Sequence, residues 1–246
     1  MIKLTDVTKT YNKASKPAVK KLNLTVPDGK IFGFLGPNGA GKSTTIKMIV
    51  GILGQDSGTI EVNGFDNHNN IIEIKRKIGF IPDESVFYDK MTAIRYLNFI
   101  SDIFKVNEED RKNRIEKYSK MFELQDHLKE DINSYSHGMK QKLEIISAMV
   151  HDPEILILDE PMVGLDPHSS YVLKDLMRDF CNEGKTVFFS THVMEVAERL
   201  CDLVGIINEG ELIAQGTYEE LKNKNGDKNA TLEKLFLDLT DDDFKE

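Results

Sequence analysis

The sequence predicts an α/β fold, and three observations carry that prediction. Short, fully apolar runs alternate with glycine-bearing turns in the first and last thirds of the chain, as buried strands do. A glycine-rich loop follows one such run and leads straight into a helix-compatible segment. Between about Met91 and Val150 there are no strand-like runs and no proline, and apolar residues recur at helical spacing. The expected architecture is one domain over residues 1–246. It has an α/β core with a mixed sheet (1–90 and 151–222), an inserted all-helical subdomain (91–150), an N-terminal antiparallel β part and a polar C-terminal tail (223–246).

Leu22 to Val26 alternates as a strand and is closed by an Asp28-Gly29 turn. Lys30 to Leu35 (KIFGFL) reads as a buried strand, and Lys42 to Leu53 as the helix after the glycine loop. Thr59 to Val62 is a strand closed by Asn63-Gly64, and Lys77 to Ile81 is another, ended by Pro82. In the middle third, Ile94, Leu97, Ile100, Ile103 and Phe104 mark one helix. Ile115, Tyr118 and Phe122 mark a second, with Asn107 as its N-cap. Met139, Leu143, Ile146 and Val150 mark a third.

The last third returns to alternation. Ile155 to Leu158 is an apolar strand, Ser170 to Cys181 a helix, Thr186 to Ser190 a strand and Met194 to Leu200 a helix. Leu203 to Ile207 and Leu212 to Ala214 read as a hairpin joined at Glu209-Gly210. From Lys222 the chain is polar and ends in Asp241, Asp242 and Asp243, expected as a solvated, frayed terminus.

Composition narrows the function. With 32 basic and 41 acidic side chains the net charge is −9, which argues against a nucleic-acid binder, since that needs a basic stripe. Two cysteines, Cys181 and Cys201, make no disulfide framework and read as reduced thiols of a cytosolic protein. No stretch approaches the ~18 apolar residues of a spanning helix, so the chain is not expected to cross a membrane by itself.

Gly36-Pro37-Asn38-Gly39-Ala40-Gly41-Lys42-Ser43-Thr44 fits G-x-x-x-x-G-K-[ST] in the required strand–loop–helix context. Glycines let the backbone wrap a phosphate with successive N–H groups inward, and the helix N-terminus adds positive potential. Lys42 supplies a cation for the β- and γ-phosphates, and Ser43 a hydroxyl for Mg²⁺. Ile155-Leu-Ile-Leu158-Asp159-Glu160 is a core strand ending in two carboxylates. Asp159 suits Mg²⁺, and Glu160 suits a general base on an attacking water. Together these point to a P-loop nucleotide hydrolase. Ser136, 23 residues before Asp159, opens the third middle helix and offers a second anion site. His192 follows the TVFFS strand, where it can touch a γ-phosphate.

With these motifs in order, nearly the whole chain resembles the ATP-binding subunit of a bacterial ABC transporter. GPNGAGKST is similar to that family's Walker A, ILILDEP to its Walker B, Tyr135-Ser136-His137-Gly138-Met139-Lys140-Gln141 to its signature, Gly164-Leu165-Asp166 to its D-loop and His192 to its switch histidine. Tyr11, 25 residues before Gly36, matches the aromatic that stacks on adenine. Two motifs depart from the family pattern. Tyr135, His137 and Met139 replace three residues of the usual LSGGQ, leaving Ser136 and Gly138 as the expected contacts to a partner's γ-phosphate. At the Q-loop, Asp83 stands where glutamine is usual, with Glu84 beside it as an alternative toward Mg²⁺ or water.

The resemblance implies ATP and Mg²⁺ as cofactors. It also implies a second ATPase subunit, identical or not, sandwiching two ATP molecules, and a separate integral-membrane permease. The YSxGMKQ variant resembles exporters, and the implied location is the cytoplasmic face of the cell membrane. Phe87, Tyr88, Tyr96 and Phe99 lie in the region where a permease would dock; each reads first as core and second as the lining of a groove for a partner's helix. Two other readings stay open: a soluble ABC-type ATPase of cofactor assembly or translation, and a P-loop kinase acting on a small molecule. The cargo is not legible in the sequence.

Overall fold

The computed structural model describes residues 1–12, 14–84, 86, 87, 90–225 and 230–240. Two sheets organise it. The first is antiparallel, in the order β2 (Val19–Val26), β1 (Ile2–Lys9), β4 (Ser57–Val62), β5 (Phe65–Asp66). It is the expected N-terminal β part, with β1 as its centre.

The second sheet is mixed. It runs in the order β10 (Glu211–Gly216), β9 (Leu203–Asn208), β3 (Ile31–Leu35), β8 (Thr186–Thr191), β7 (Ile155–Asp159), β6 (Ile78–Ile81). All neighbours are parallel except the β9–β10 hairpin. Strands buried on both faces read as continuous apolar runs, yet their side chains still alternate between two cores. Ile155 and Ile157 join Phe32, Phe34 and Phe188 against the first sheet and α1 (Lys42–Ile49). Leu156 and Leu158 join Val187 and Phe189 against the helices of the opposite face.

Those helices are α3 (Ala93–Ile103), α4 (Glu108–Met121), α5 (His137–Met149) and α6 (Pro167–Asn182). Between Met91 and Val150 the only β pairing among the described residues is an isolated bridge from Thr92 to Asp131. Asn107 caps α4 as its sequence predicts, its side-chain oxygen accepting the Asp110 N–H at 2.9 Å. A short α2 (Ile71–Lys77), not anticipated from the sequence, precedes β6.

The polar tail expected over 223–246 carries a packed apolar helix within it. α7 (Met194–Leu200), α8 (Tyr218–Asn225) and α9 (Leu232–Thr240) build a third cluster in which Leu221, Leu232 and Leu235 are buried with Leu35, Val204 and Ile206. Leu232, Leu235 and Leu239 recur at helical spacing, and that apolar stripe outweighs the charged composition around it. Asp241, Asp242 and Asp243 lie outside the described residues.

Candidate active site

The sheet order brings three strand ends together. β3, β8 and β7 are adjacent and parallel, with Leu35 beside Thr191 and Asp159 beside Ser190. The segments beginning at Gly36, His192 and Glu160 therefore leave the same carboxyl edge, where open α/β sheets bind ligands.

Residues 36–41 curve from β3 into α1. Gly41 has φ +108°, and a Cβ there would come within 2.5 Å of the Ala18 carbonyl oxygen. A side chain is excluded by both conformation and space. Lys42 is 6% exposed, and its ammonium donates to the carbonyls of Gly36 (2.8 Å) and Pro37 (3.2 Å). Its Nζ also lies 3.4 Å from Glu160 Oε1. Tyr11, exposed on the preceding loop, meets Thr44 Oγ1 through its hydroxyl at 3.2 Å. The adenine-stacking candidate and the glycine loop are thus neighbours.

Glu160 connects the loop to His192. Its other carboxylate oxygen, Oε2, lies 3.1 Å from His192 Nδ1. Glu160 takes φ +49°, a conformation that glycine adopts freely and other residues rarely do. The Ser190 hydroxyl holds that turn from below: it accepts the Glu160 N–H at 3.1 Å and donates to Asp159 Oδ1 at 2.5 Å. Ser190 is a site residue that the sequence alone does not single out. Its one signal is its place at the end of TVFFS, one strand away from the paired carboxylates.

Asp83 completes the acidic cluster. Partial burial raises its carboxyl above the ordinary range, and the neighbouring Asp159, Glu160 and Glu84 raise it further, against the pull of Lys47. A carboxyl whose ionisation is opposed by neighbouring carboxylates is a fit place for a cation. Ser43, Asp159 and Asp83 offer only hard oxygen donors, which suit Mg²⁺. Among the described residues, no group of three or more His, Cys, Asp or Glu forms a metal cage by itself. Mg²⁺ is commonly held by one or two carboxylates plus substrate phosphates, so that pattern agrees with an Mg-nucleotide.

A second polar surface lies on α5. Ser136 is its N-cap, exposed, with its hydroxyl accepting the Met139 N–H at 3.3 Å. Gly138 approaches the Gly164 backbone: an added Cβ would stand 3.0 Å from the Gly164 carbonyl oxygen. Asp166 caps α6 and pairs with Lys142 on α5 at 3.1 Å. Its carboxyl is held well below the usual range by the Ser169 N–H and hydroxyl and by the Lys142 ammonium. The signature-like and D-loop-like segments therefore pack against each other.

The family model described as ABC transporter matches residues 19–163. The chain belongs to the ABC transporter ATP-binding family. Relatives in Bacillus subtilis include the ABC transporter ATP-binding protein NatA, 39% identical over 224 residues, covering 90% of this chain and 91% of that protein. Another is the linearmycin resistance ATP-binding protein LnrL, 38% identical over 226 residues, covering 92% and 72% respectively. Among solved structures, an ATP-binding subunit of an ABC transporter superposes with a TM-score of 0.93 at 30% identity, covering 98% of this chain and all of that one. The dimeric ATP-binding cassette MJ0796 in a post-hydrolysis state with ADP and Pi gives 0.81 at 27% identity, covering 88% and 98%. The ABC family assignment makes this chain an α/β ATP-binding domain and supports ATP hydrolysis. No helix among the described residues is long and apolar enough to cross a membrane.

The aromatic residues near the Q-loop separate into core and surface. Tyr96 is buried and meets Phe87 edge-on at 5.1 Å between ring centroids, whereas Phe99 is exposed. Tyr88 lies outside the described residues. Beside them is a groove of about 310 Å³ lined by Ile52, Ile78, Phe80, Tyr96, Ile100 and Phe104, among others.

Proposed function

We propose that this chain is the ATP-hydrolysing subunit of an exporter whose membrane-spanning permease is a separate protein. The observation that carries the hydrolytic part of the reading is Glu160, held in strained backbone between Lys42 at the start of α1 and His192 beyond the end of the neighbouring strand β8. A carboxylate so placed can take a proton from water attacking a phosphate bound on residues 36–44. Lys42 would then exchange its carbonyl and carboxylate partners for phosphate oxygens. His192 would hold the γ-phosphate and orient Glu160, and Tyr11 would stack on adenine. Ser43, Asp159 and Asp83 would hold Mg²⁺, which neutralises charge on the phosphates.

Ser136 and Gly138 would meet the γ-phosphate bound by a second subunit, so that hydrolysis needs a dimer of this chain or a heterodimer. A dimeric assembly of a related cassette supports this. The name of LnrL, a resistance protein, supports outward transport. The apolar groove lined by Ile52, Tyr96 and Ile100 would take a short cytoplasmic helix of the permease and hold the chain at the cytoplasmic membrane face.

The test is co-purification. Tagged chain is recovered from membranes in mild detergent and its partners are identified by mass spectrometry. A near-stoichiometric protein with several spanning helices is the expected result, lost in Ile52→Asp and Phe99→Asp while nucleotide binding persists. Recovery of soluble proteins alone overturns the transport reading in favour of a soluble ABC-type ATPase.

A further inference from the structure

We propose that Gly210, in the turn between β9 and β10, is a positioning residue for the phosphate loop: its N–H fixes the Ala40 carbonyl and thereby aims the Gly41 N–H. The inference rests on residues 36–44 holding the nucleotide's phosphates, as proposed above.

The hairpin touches the loop at both ends. β9 runs parallel to β3, with Ile206 beside Leu35, the last residue before the loop. A Cβ on Gly36 would stand 2.3 Å from the Ile207 carbonyl oxygen, so the first loop residue is seated directly on β9. At the far end the Gly210 N–H donates to the Ala40 carbonyl at 3.0 Å, and the Gly210 carbonyl accepts the Lys20 N–H at 2.8 Å. The turn thus bridges the loop to β2. An ion pair between Lys20 and Glu211 closes the same junction from outside.

The junction tolerates no side chain. Gly210 has φ +83°, and a Cβ there would stand 2.9 Å from the Ala18 carbonyl oxygen and 3.2 Å from Val19 Cα. The same Ala18 carbonyl abuts Gly41 from the other side. One backbone carbonyl is therefore packed between a loop glycine and a turn glycine.

The consequence for binding follows from peptide geometry. In a planar trans peptide the C=O and N–H point in opposite directions. Fixing the Ala40 carbonyl toward the hairpin turns the Gly41 N–H away from it, into the curve of the loop. A phosphate cradle works when its N–H groups are aimed before the ligand arrives, because orientation is then not lost on binding.

Full-length Gly210→Ala, Gly210→Asn and Gly64→Ala are compared by titration with a fluorescent ATP analogue and Mg²⁺, alongside thermal melts. Gly64 has a similar φ of +78°, but a Cβ there meets nothing within 4 Å, so it reports backbone strain alone. Asparagine tolerates that backbone region, so it relieves strain while keeping the crowded Cβ. The expected result is a Kd raised ~10-fold or more in both Gly210 variants and within ~2-fold of wild type in Gly64→Ala. Wild-type affinity in Gly210→Ala, its restoration by asparagine, or an equal loss in Gly64→Ala overturns the proposal. An arm without variants guards against misfolding: amide exchange at Gly210 in the wild-type chain should slow ~10-fold when Mg-ATP binds. An unchanged rate overturns the brace. Failure of wild-type chain to bind the nucleotide at all would instead remove the reading of residues 36–44.

Discussion

The Ser190 hydroxyl donates to Asp159 Oδ1 at 2.5 Å across two neighbouring strands. The same oxygen accepts the Glu160 N–H, so one serine holds both carboxylate residues in register. Ser190→Ala removes the donor and leaves the N–H of a strained residue without its partner. The expected outcome is a fall in kcat of ~10-fold, with KM for Mg-ATP changed by less than ~3-fold. Steady-state kinetics checks it. A rise in KM with kcat intact would mean that Ser190 serves binding instead.

Glu160→Gln keeps the size of the side chain and loses the proposed base. Turnover should fall by ~10²-fold or more while Mg-ATP still binds. An ATP-bound dimer should accumulate, visible by light scattering as a doubling of mass. Near-normal turnover would remove Glu160 from the role of base. Lys42→Ala should give the opposite pattern, weakened nucleotide binding, because it deletes the cation proposed to face the phosphates.

Asp83 titrates against its neighbours, and the sign of its effect on stability follows. Its carboxyl is raised in the fold, by burial first and then by Asp159, Glu160 and Glu84. The folded chain therefore holds that proton more tightly than the unfolded chain. Stability from this group is lost as pH rises from the ordinary carboxylate value through the raised one. Asp83→Asn should raise Tm at pH 7 and leave it unchanged at pH 3. Melting curves at the two pH values decide it, and an equal shift at both would assign the effect to packing.

His151 gives the complementary pH dependence. Its ring stacks on Phe104 at 3.8 Å between centroids, and Nε2 meets the Ile78 carbonyl at 3.1 Å. Burial lowers the imidazole to about 4; the Ile78 carbonyl and Asp152 pull it up, and Arg114 pushes it down. Between pH 6.5 and 4 the unfolded chain binds a proton that the folded chain does not. Stability should therefore fall as pH drops through that window, by at most on the order of 3 kcal/mol. His151→Phe retains the stack and cannot be protonated, so denaturant curves of the variant should lack this part of the acid loss. Identical losses in both chains would place the effect on another group.

The legible and illegible parts of the sequence differ for physical reasons. The glycine loop, the apolar strand before Asp159 and the Asn107 cap are local patterns, and each forms where the sequence places it. β1 escapes a sequence reading because its alternation breaks: Ile2 and Leu4 point inward, but the pairing shifts between Leu4 and Val7, around Asp6 at φ +49°. Period-2 reading fails at such a bulge. The clustering of Asp83, Asp159, Glu160 and His192 depends on sheet order, which joins residues far apart in sequence. Nothing local in TVFFS says that its serine stands beside Asp159.

The C-terminal helix α9 is hidden in the sequence by its charged surroundings, and its packing yields the last prediction. Leu235 is 1% exposed, in the cluster that contains Leu35, immediately before the glycine loop. Glu198 on α7 reaches the first turn of α9, its carboxylate accepting the Leu232 N–H at 3.0 Å. The two contacts differ in kind. Leu235→Ala empties buried apolar volume and should cost ~2–5 kcal/mol. Glu198→Ala removes one cap-like hydrogen bond and should cost ~1 kcal/mol. Urea unfolding of both variants measures the difference. If Leu235→Ala costs less than the cap, α9 rests on the surface of the third cluster and does not form part of it. A leucine buried among Leu35, Val204 and Ile206 must instead be the more expensive of the two to lose.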